Sequence, residues 1–352
     1  MAGYPPMAAL RITGDPTELG VQHGAARRER IHAFLDDDLC RLNRLLPAPT
    51  DRIALRDTID RHGELINDQL PRTFDEIRGL AVGAGIDLRD AILLQLRREV
   101  AGYTAWPLPG GDCTTLCRAE PGDPVIAQTI DLNGDLDDHM EVLAIEHAGS
   151  GRRVQLVTFT GLLGYLGLNS DGLAIGINLV LGGTWAPGVP PYLALRHLLD
   201  ECSDVDSCLD RLRGLRLASS RALTLCDRQG AAWVELVDGR LAVQRGQTLA
   251  HTNHFLAPEL AGYERINPFA LASSKRRLLA GRAAVADLDP DTVMSVLARP
   301  PIRVAGNGDI RHERTVGAVV LRPAVGELRV RRGDPALAPT EVFHIDDHAR
   351  YV

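Results

Sequence analysis

The sequence has few aromatic residues, few cysteines and no excess of positive charge. Its 352 residues include only 4% Phe, Trp and Tyr, and its net charge is -7. The six cysteines form no CxxC pair, which argues against a zinc site and a disulfide framework. The negative charge gives no basic footprint for nucleic acid or anionic membrane. We therefore expect a protein whose partners are small molecules.

Long hydrophobic segments are also missing. No apolar run reaches the roughly 18 residues that a membrane span needs. The opening residues MAGYPPMAAL lack the charged and apolar regions of a signal peptide. These features predict a cytoplasmic protein without a membrane segment.

Several common catalytic and binding motifs are absent or incomplete. The chain has no P-loop, no strand-coupled GxGxxG and no GxSxG. Residues 131–142 resemble a calcium loop, but Leu136 replaces the required glycine and Val142 the required glutamate, which favours a polar turn. His251 and His254 lack an acidic or cysteine ligand close by in sequence, so a structural role is favoured over metal binding.

Helical and strand-like segments alternate along the chain in blocks. The helical blocks are 15–100, 190–214 and 273–300, and the strand-rich blocks are 113–180, 220–244 and 314–333. Residues 101–112 have the Pro and Gly content of a loop. This order predicts an α+β layered fold rather than regular βαβ winding. Since no linker is evident, we expect one domain, 1–352.

Cys113, in the stretch GGDCTTLCRAE, is the strongest candidate for chemistry. A thiol with its ordinary pKa of about 8.5 is a weak nucleophile and needs a base. That base is a nearby histidine or, if Cys113 is the first residue of a chain, its own α-amine, with a pKa of about 7.7 to 8.0. A buried, inert cysteine is the alternative that the composition alone leaves open.

Use of the α-amine requires cleavage of the bond between Asp112 and Cys113. The thiol attacks the preceding carbonyl in an N-to-S acyl shift, and water then hydrolyses the thioester. Glycines at 110 and 111, before a cysteine that begins a strand, suit such a bend of the chain.

Seven motifs in order resemble the acyl-CoA:6-aminopenicillanic acid acyltransferase (isopenicillin N acyltransferase) family of cysteine N-terminal-nucleophile (Ntn) hydrolases. The resemblance covers nearly the whole chain. The motifs are GDPTELGVQHG, FDEIRGLAVGAGIDLRDAILLQLRRE, DCTT, IAQTIDL, TFTGLLGYLGLNSDGLAIGIN, GVPPYLALRHLL and HTNHFL. The resemblance implies a four-layer αββα sandwich, made as a precursor that cuts itself into fragments 1–112 and 113–352.

The resemblance also implies roles for individual residues. Cys113 is the nucleophile and its amine the base, while Asn253 donates to the oxyanion. Asp131 matches the acidic residue near the cleavage centre, and Thr115 the hydroxyl two residues after the nucleophile. Ser220 falls near the substrate pocket.

Two positions depart from the family pattern. Asp112 replaces the glycine that precedes the nucleophile in the fungal enzyme, so a carboxylate side chain lies next to the bond that is to be cleaved. The family has an arginine just before the last hairpin, and that position aligns with His312 in this chain. Arg314, two residues later, is the candidate for its substrate-binding role.

The predicted reaction is hydrolysis or transfer of an acyl group on a small amide through a thioester on Cys113. Candidate substrates are N-acyl amino acids, peptide-like amides and β-lactam metabolites. No cofactor is implied, and acyl-CoA is a candidate co-substrate. Two alternatives remain: a binding scaffold that never matures, and an uncut cysteine hydrolase with His251 or His254 as base.

Overall fold

A computed structural model describes residues 4–102, 113–120 and 122–346. Eight helices are described: α1 Pro16–Asp36, α2 Arg56–Gln69, α3 Pro71–Ala84, α4 Leu88–Ala101, α5 Pro191–Glu201, α6 Val205–Arg213, α7 Pro268–Val285 and α8 Val293–Leu297. The first seven strands are β1 Leu10–Gly14, β2 Thr115–Arg118, β3 Val125–Leu132, β4 Met140–His147, β5 Arg153–Phe159, β6 Leu166–Asn169 and β7 Ala174–Leu179. The others are β8 Arg221–Cys226, β9 Ala231–Val237, β10 Arg240–Gly246, β11 Thr248–His251, β12 Arg314–Arg322, β13 Glu327–Arg332 and β14 Glu341–His344.

The strands form two sheets that lie against each other. One has eight strands in the order β1-β4-β5-β6-β7-β8-β9-β10, and the other has six in the order β11-β2-β3-β12-β13-β14. Strands β2 and β3 of the six-stranded sheet contact β7 and β8 of the eight-stranded sheet. Helices α1, α5 and α6 contact the eight-stranded sheet, whereas α7 and α8 contact the six-stranded sheet. The predicted α+β sandwich of two helical layers around two sheets is thereby confirmed.

Strand β2 shows how the sequence builds these layers. Successive side chains of a strand point to opposite faces. Cys117 belongs to the core between the sheets, whereas Leu116 packs in the separate core under α7 and α8. Because both faces are covered, the first three residues of the strand TLCR are apolar or small and buried, and only Arg118 at its end is partly exposed.

Helices α1 and α3 pack closely through glycines. A Cβ atom on Gly20 would lie 2.0 Å from the carbonyl oxygen of Glu76, and one on Gly79 would lie 2.3 Å from that of Thr17. Any side chain at these positions would force the helices apart. This contact explains the glycine spacing in GVQHG and in the segment around Gly79.

The first helix begins where the sequence predicts and ends earlier. Asp15 caps it, with the Asp15 side chain accepting from Glu18 N and the Glu18 side chain accepting from Asp15 N. The apolar spacing over residues 15–46 predicts one continuous helix, whereas the structure ends this helix at Asp36. Residues 38–41 all have positive φ values between 49° and 60°, which turn the chain away from the helix.

Other boundaries also differ from the sequence prediction. Helix α3 continues through Gly83 and ends at Gly85, which adopts the left-handed conformation. Helix α8 is only five residues long, and strands β1 and β14 were not predicted. Most of the predicted loop 101–112 lies outside the described residues. Among the residues that are described, no helix has the length and apolar character to cross a membrane.

Candidate active site

Cys113 lies directly before β2, at the start of the inner six-stranded sheet. Two hydrogen bonds fix the next residue to β3: Thr114 N donates to Thr129 Oγ1 at 3.0 Å, and Thr129 N donates to Thr114 O at 3.0 Å. Only 4% of the Cys113 surface is exposed. The thiol is thus held inside the protein, beside the first residues of an interior strand of the sheet.

The thiol has polar neighbours from β3 and from the start of β6. The backbone N–H of Asp131 donates to Cys113 Sγ at 3.4 Å, and the thiol lies 3.9 Å from Asp131 O. The hydroxyl of Tyr165 lies 3.8 Å from the same sulfur. Burial, followed by the charge of Cys113, raises the pKa of Tyr165 well above its usual value. Tyr165 therefore remains a hydrogen-bond donor at neutral pH.

The backbone carbonyl of Cys113 is held by two side chains. Asn178 Nδ2 donates to it at 2.8 Å and Arg277 Nη1 at 3.1 Å. The Thr115 hydroxyl donates to Asn178 Oδ1 at 2.7 Å, which joins the two sheets. Thr115 is therefore linked to Cys113 through Asn178.

Asn253 is oriented by the same arginine. Arg277 Nη2 donates to Asn253 Oδ1 at 2.9 Å, and Asn253 Nδ2 donates to Leu179 O at 2.9 Å. Since a guanidinium donates and never accepts, the oxygen of the Asn253 amide must face Arg277. Its NH2 group therefore faces β7, where Leu179 forms part of the cavity wall beside Cys113.

Arg277 was missed by the sequence analysis. It lies on the buried face of α7 together with Ser274 and Gly281, and its side chain is fully buried. A Cβ on Gly281 would lie 2.8 Å from Leu116 in β2, so this glycine lets the helix approach the sheet. No sequence signal separates Arg277 from the neighbouring basic residues Lys275 and Arg276, because a sequence does not display burial.

One small cavity adjoins the sulfur of Cys113. It is lined by Arg98, Cys113, Asp131, Leu132, Tyr165, Ile177, Leu179, Tyr192 and Arg221. The structure thus brings Cys113 and Asp131 together, as the sequence predicted, and adds two arginines and two tyrosines that it did not. The rings of Tyr165 and Tyr192 stack at 5.0 Å between centroids.

A more apolar cavity lies beside the first. The two share Arg98, Leu132, Tyr165 and Tyr192. The second is otherwise lined mostly by apolar side chains: Phe34, Leu94, Leu136, Phe159 and Leu162. The site next to the sulfur therefore has a charged part and an apolar part with Arg98 at their junction.

Each of the two arginines that line the cavity, Arg98 and Arg221, has a buried carboxylate close to its guanidinium. Arg98 Nη2 donates to Glu313 Oε1 at 2.8 Å, and Arg221 Nη2 lies 3.6 Å from Glu99 Oε1. Burial raises the pKa of Glu313 to about 7, although Arg98 acts in the opposite direction. Arg98 belongs to the predicted fragment 1–112, so both predicted fragments contribute to the cavity.

Ser220 and Arg314 lie in other environments. Ser220 Oγ donates to Val180 O at 2.5 Å and accepts from Gly182 N at 3.1 Å, so its hydroxyl fixes the turn after β7. Arg314 forms ion pairs with Asp135 at 2.8 Å and Asp137 at 2.7 Å. Neither residue is among those that line the cavity at Cys113.

The two histidines bond to groups elsewhere. His251 Nε2 lies 2.8 Å from Glu235 Oε1, and His254 Nδ1 lies 2.8 Å from Ser274 Oγ. Burial lowers the pKa of His254 to about 4. Within the described chain, neither ring lines the cavity that holds the thiol. Asp112, on the other side of the predicted cleavage bond, lies outside the described residues.

Comparison with known proteins assigns this chain to a family. The family model described as acyl-coenzyme A:6-aminopenicillanic acid acyl-transferase matches residues 117–293, half of the chain. The acyl-coenzyme A:6-aminopenicillanic-acid-acyltransferase 40 kDa form of Emericella nidulans is 26% identical over 268 residues, 74% of this chain and 73% of that protein.

Solved structures are similar in fold at low identity. A mutant conjugated bile acid hydrolase from Clostridium perfringens has a TM-score of 0.52 at 10% identity, over 67% of this chain and 93% of its own. A second variant of that hydrolase has a TM-score of 0.50 at 11% identity, over 67% of this chain and 94% of its own. These similarities confirm the predicted αββα sandwich fold. The chain therefore belongs to the acyl-coenzyme A:6-aminopenicillanic acid acyl-transferase family.

Proposed function

We propose that this protein is a self-cleaving cysteine Ntn enzyme that removes or transfers the acyl group of a small amide. The observation that carries the proposal is the path from Cys113 O through Arg277 to Asn253, with contacts of 3.1 and 2.9 Å. This network supports the proposal because it joins Cys113 and Asn253, to which we assign the roles of nucleophile and oxyanion donor, by buried hydrogen bonds.

Maturation is the first reaction in this proposal. Cys113 Sγ attacks the carbonyl carbon of Asp112, the C–N bond to Cys113 breaks, and a thioester forms. Water then releases the carboxylate of Asp112 and regenerates the thiol. The products are the fragments 1–112 and 113–352, which remain together as one folded unit.

In the mature enzyme the free α-amine of Cys113 is the base. It takes the proton of its own thiol without the entropic cost of recruiting another group. The thiolate attacks the amide carbonyl of the substrate, and the ammonium group then protonates the leaving nitrogen. Asp131, beside the sulfur in the same cavity, orients the amine.

Asn253 stabilises the oxyanion that forms during attack. One N–H of its amide donates to Leu179 O, and we assign the other to the oxyanion. Arg277 keeps the amide in this orientation by holding its oxygen. A single side-chain donor of this type contributes roughly 3 to 4 kcal/mol to the transition state.

The apolar cavity is the proposed site for the acyl group. Leu94, Leu136 and Phe159 offer it a non-polar environment beside the cavity that Cys113 lines. The thioester then reacts with water, or with an amine that enters in place of the first product. Because the relative from Emericella nidulans is named for acyl-coenzyme A, an acyl-CoA thioester is part of the proposal as an alternative donor.

The decisive experiment compares wild type with Cys113→Ala on a denaturing gel and in an assay with N-acyl amino acids. We expect the wild type to yield two fragments and activity, and the variant to stay whole and inactive. Cys117→Ala is the matched control, because Cys117 is also buried but lies in the core between the sheets.

Each other outcome points to a different mechanism. An active wild type that remains one uncut chain would contradict the proposal and favour the histidine-base alternative. An uncut and inactive wild type that still binds N-acyl amino acids would favour the non-maturing scaffold.

A further inference from the structure

Arg221 is a buried cation at the wall of the cavity. It is the first residue of β8, pairs with Leu179 of β7 and is 1% exposed. Its Nη1 donates to Ser219 Oγ at 3.1 Å and to Ser220 O at 2.7 Å. Among the described residues, its Nη2 has no hydrogen-bond partner.

The carboxylate of Glu99 does not accept a hydrogen bond from Arg221 Nη2. Glu99 Oε1 lies 3.6 Å from Arg221 Nη2, beyond hydrogen-bond distance, and accepts from Ser219 Oγ at 2.8 Å instead. A buried donor without an acceptor costs free energy that a ligand recovers by binding it. The cavity side of this guanidinium is therefore suited to an anionic acceptor.

Neighbouring groups fix the position of the guanidinium. Its Cζ lies 5.4 Å from the ring of Tyr192 and 5.4 Å from the ring of Trp185. Aromatic faces attract a guanidinium and leave its N–H groups free to donate outward in the guanidinium plane. Tyr192 in turn stacks on Tyr165, whose hydroxyl lies 3.8 Å from Cys113 Sγ.

A second cation borders the same cavity. Arg98 and Arg221 both line it. Among the described lining residues, Asp131 is the one with an acidic side chain. Both guanidiniums are buried, so their attraction for an anion is weakly screened by solvent. Arg98 also borders the apolar cavity, whereas Arg221 does not.

We propose that Arg221, assisted by Arg98, binds a carboxylate on the amine side of the substrate, so that the enzyme acts on N-acylated amino acids. This inference rests on the proposed function. The acyl group occupies the apolar cavity, the amide carbonyl reaches Cys113 Sγ, and the carboxylate of the amino acid reaches Arg221. A carboxylate there accepts from Nη2, which the described protein leaves unsatisfied.

The test uses ligands that the enzyme does not cleave. N-octylsulfonyl-L-alanine carries the carboxylate, and its carboxamide is identical apart from the missing charge. Both are titrated into the full protein by calorimetry, so the readout does not depend on turnover. We expect the acid to bind wild type about tenfold or more tightly than the carboxamide, as charge-assisted hydrogen bonds require.

Variants connect this preference to Arg221. In Arg221→Gln the acid and the carboxamide should bind within about threefold of each other, whereas Arg221→Lys should keep part of the preference. Arg213→Gln, on the exposed surface of α6, is the matched control and should behave as wild type. If Arg221→Gln fails to fold beside Glu99, the double variant Arg221→Gln/Glu99→Gln removes both charges and serves in its place.

The outcomes separate this inference from the proposed function. Equal binding of acid and carboxamide by wild type, binding of neither, or a preference that survives in Arg221→Gln would each overturn the carboxylate site. Fragment formation and hydrolysis of uncharged amides would still support the Ntn mechanism in those cases. An uncut chain that hydrolyses no amide would overturn the mechanism, whatever the ligands show.

Discussion

The two sides of Cys113 differ in how they are built. On the carbonyl side, Asn178 and Arg277 hold the backbone oxygen, and Thr115 and Asn253 complete a network of short hydrogen bonds. On the sulfur side, the thiol borders a cavity. The polar atoms described around it, from Asp131 and Tyr165, lie 3.4 to 3.9 Å from the sulfur.

This difference separates positioning from recognition. The carbonyl side comes from the inner strands and α7, whose elements pack too tightly to adapt to a ligand. The sulfur side includes Arg98 from α4, a helix that precedes the proposed cleavage site. Changes on the carbonyl side should therefore lower the rate for every substrate, whereas changes on the sulfur side should alter which substrate is preferred.

The largest effect should come from Arg277→Met. The variant loses the contacts to Cys113 O and Asn253 Oδ1, so the nucleophile and the oxyanion donor lose their common support. We expect kcat to fall by about 10³ or more for every acyl chain. Arg276→Met, on the exposed face of the same helix, is the control for kinetic assays and should retain activity. A variant with altered chain preference and unchanged kcat would contradict the assignment.

Asn253→Leu should have the next largest effect. Leucine has a similar volume but offers no donor to the oxyanion, so kcat should fall by about 10² to 10³ while KM changes little. Stopped-flow or steady-state assays with one N-acyl amino acid measure both constants. A loss confined to KM would show instead that Asn253 contributes to ground-state binding.

Leu162→Ala should change selectivity on the sulfur side. Leu162 lines the apolar cavity, and its truncation makes room for a longer chain. We expect the ratio of kcat/KM for decanoyl over octanoyl substrates to rise about tenfold, the usual effect of one or two methylenes in an apolar pocket. Ile53→Ala, at a site that is 75% exposed, should leave the ratio unchanged. A uniform loss for both chains would place the acyl group elsewhere.

The smallest effect concerns Glu313, behind Arg98. Burial raises its pKa from the ordinary value of 4.5 to about 7, so the folded chain holds this proton more tightly than the unfolded chain. The resulting stability is fully present below pH 4.5 and is lost as the pH rises through 7. Urea midpoints should therefore fall less between pH 5 and 8 in Glu313→Gln than in wild type.

Exposed Glu259→Gln is the control for that series and should follow the wild-type curve. Parallel curves for wild type and Glu313→Gln would show that Glu313 is ionised throughout, in a permanent pair with Arg98.

The fold was largely predictable because its elements carry local signals. Asp15 is followed three residues later by Glu18, which marks the start of α1. The early end of that helix was not predictable, because the left-handed run at residues 38–41 has no glycine to announce it. Strand β1 was missed because its partner, β4, lies more than a hundred residues later.

The site was predictable only where a family motif carries it. Cys113 and Asp131 lie 18 residues apart in recognisable motifs, and the structure places them in contact. Arg277 lies 164 residues from Cys113 on a helix with no distinctive pattern, so only the packing of α7 on the sheet reveals their contact. Arg98 and Arg221 were not identified as site residues, since a sequence does not display burial.

The central claim is that Cys113 becomes an N-terminal nucleophile and carries the acyl group. Intact mass spectrometry of active wild type, with and without brief exposure to an N-octanoyl amino acid, tests it most directly. We predict two chains, 1–112 and 113–352, with a substrate-dependent octanoyl adduct on the second at Cys113. An active protein that remains one uncut chain, or an adduct on another residue, would contradict this account.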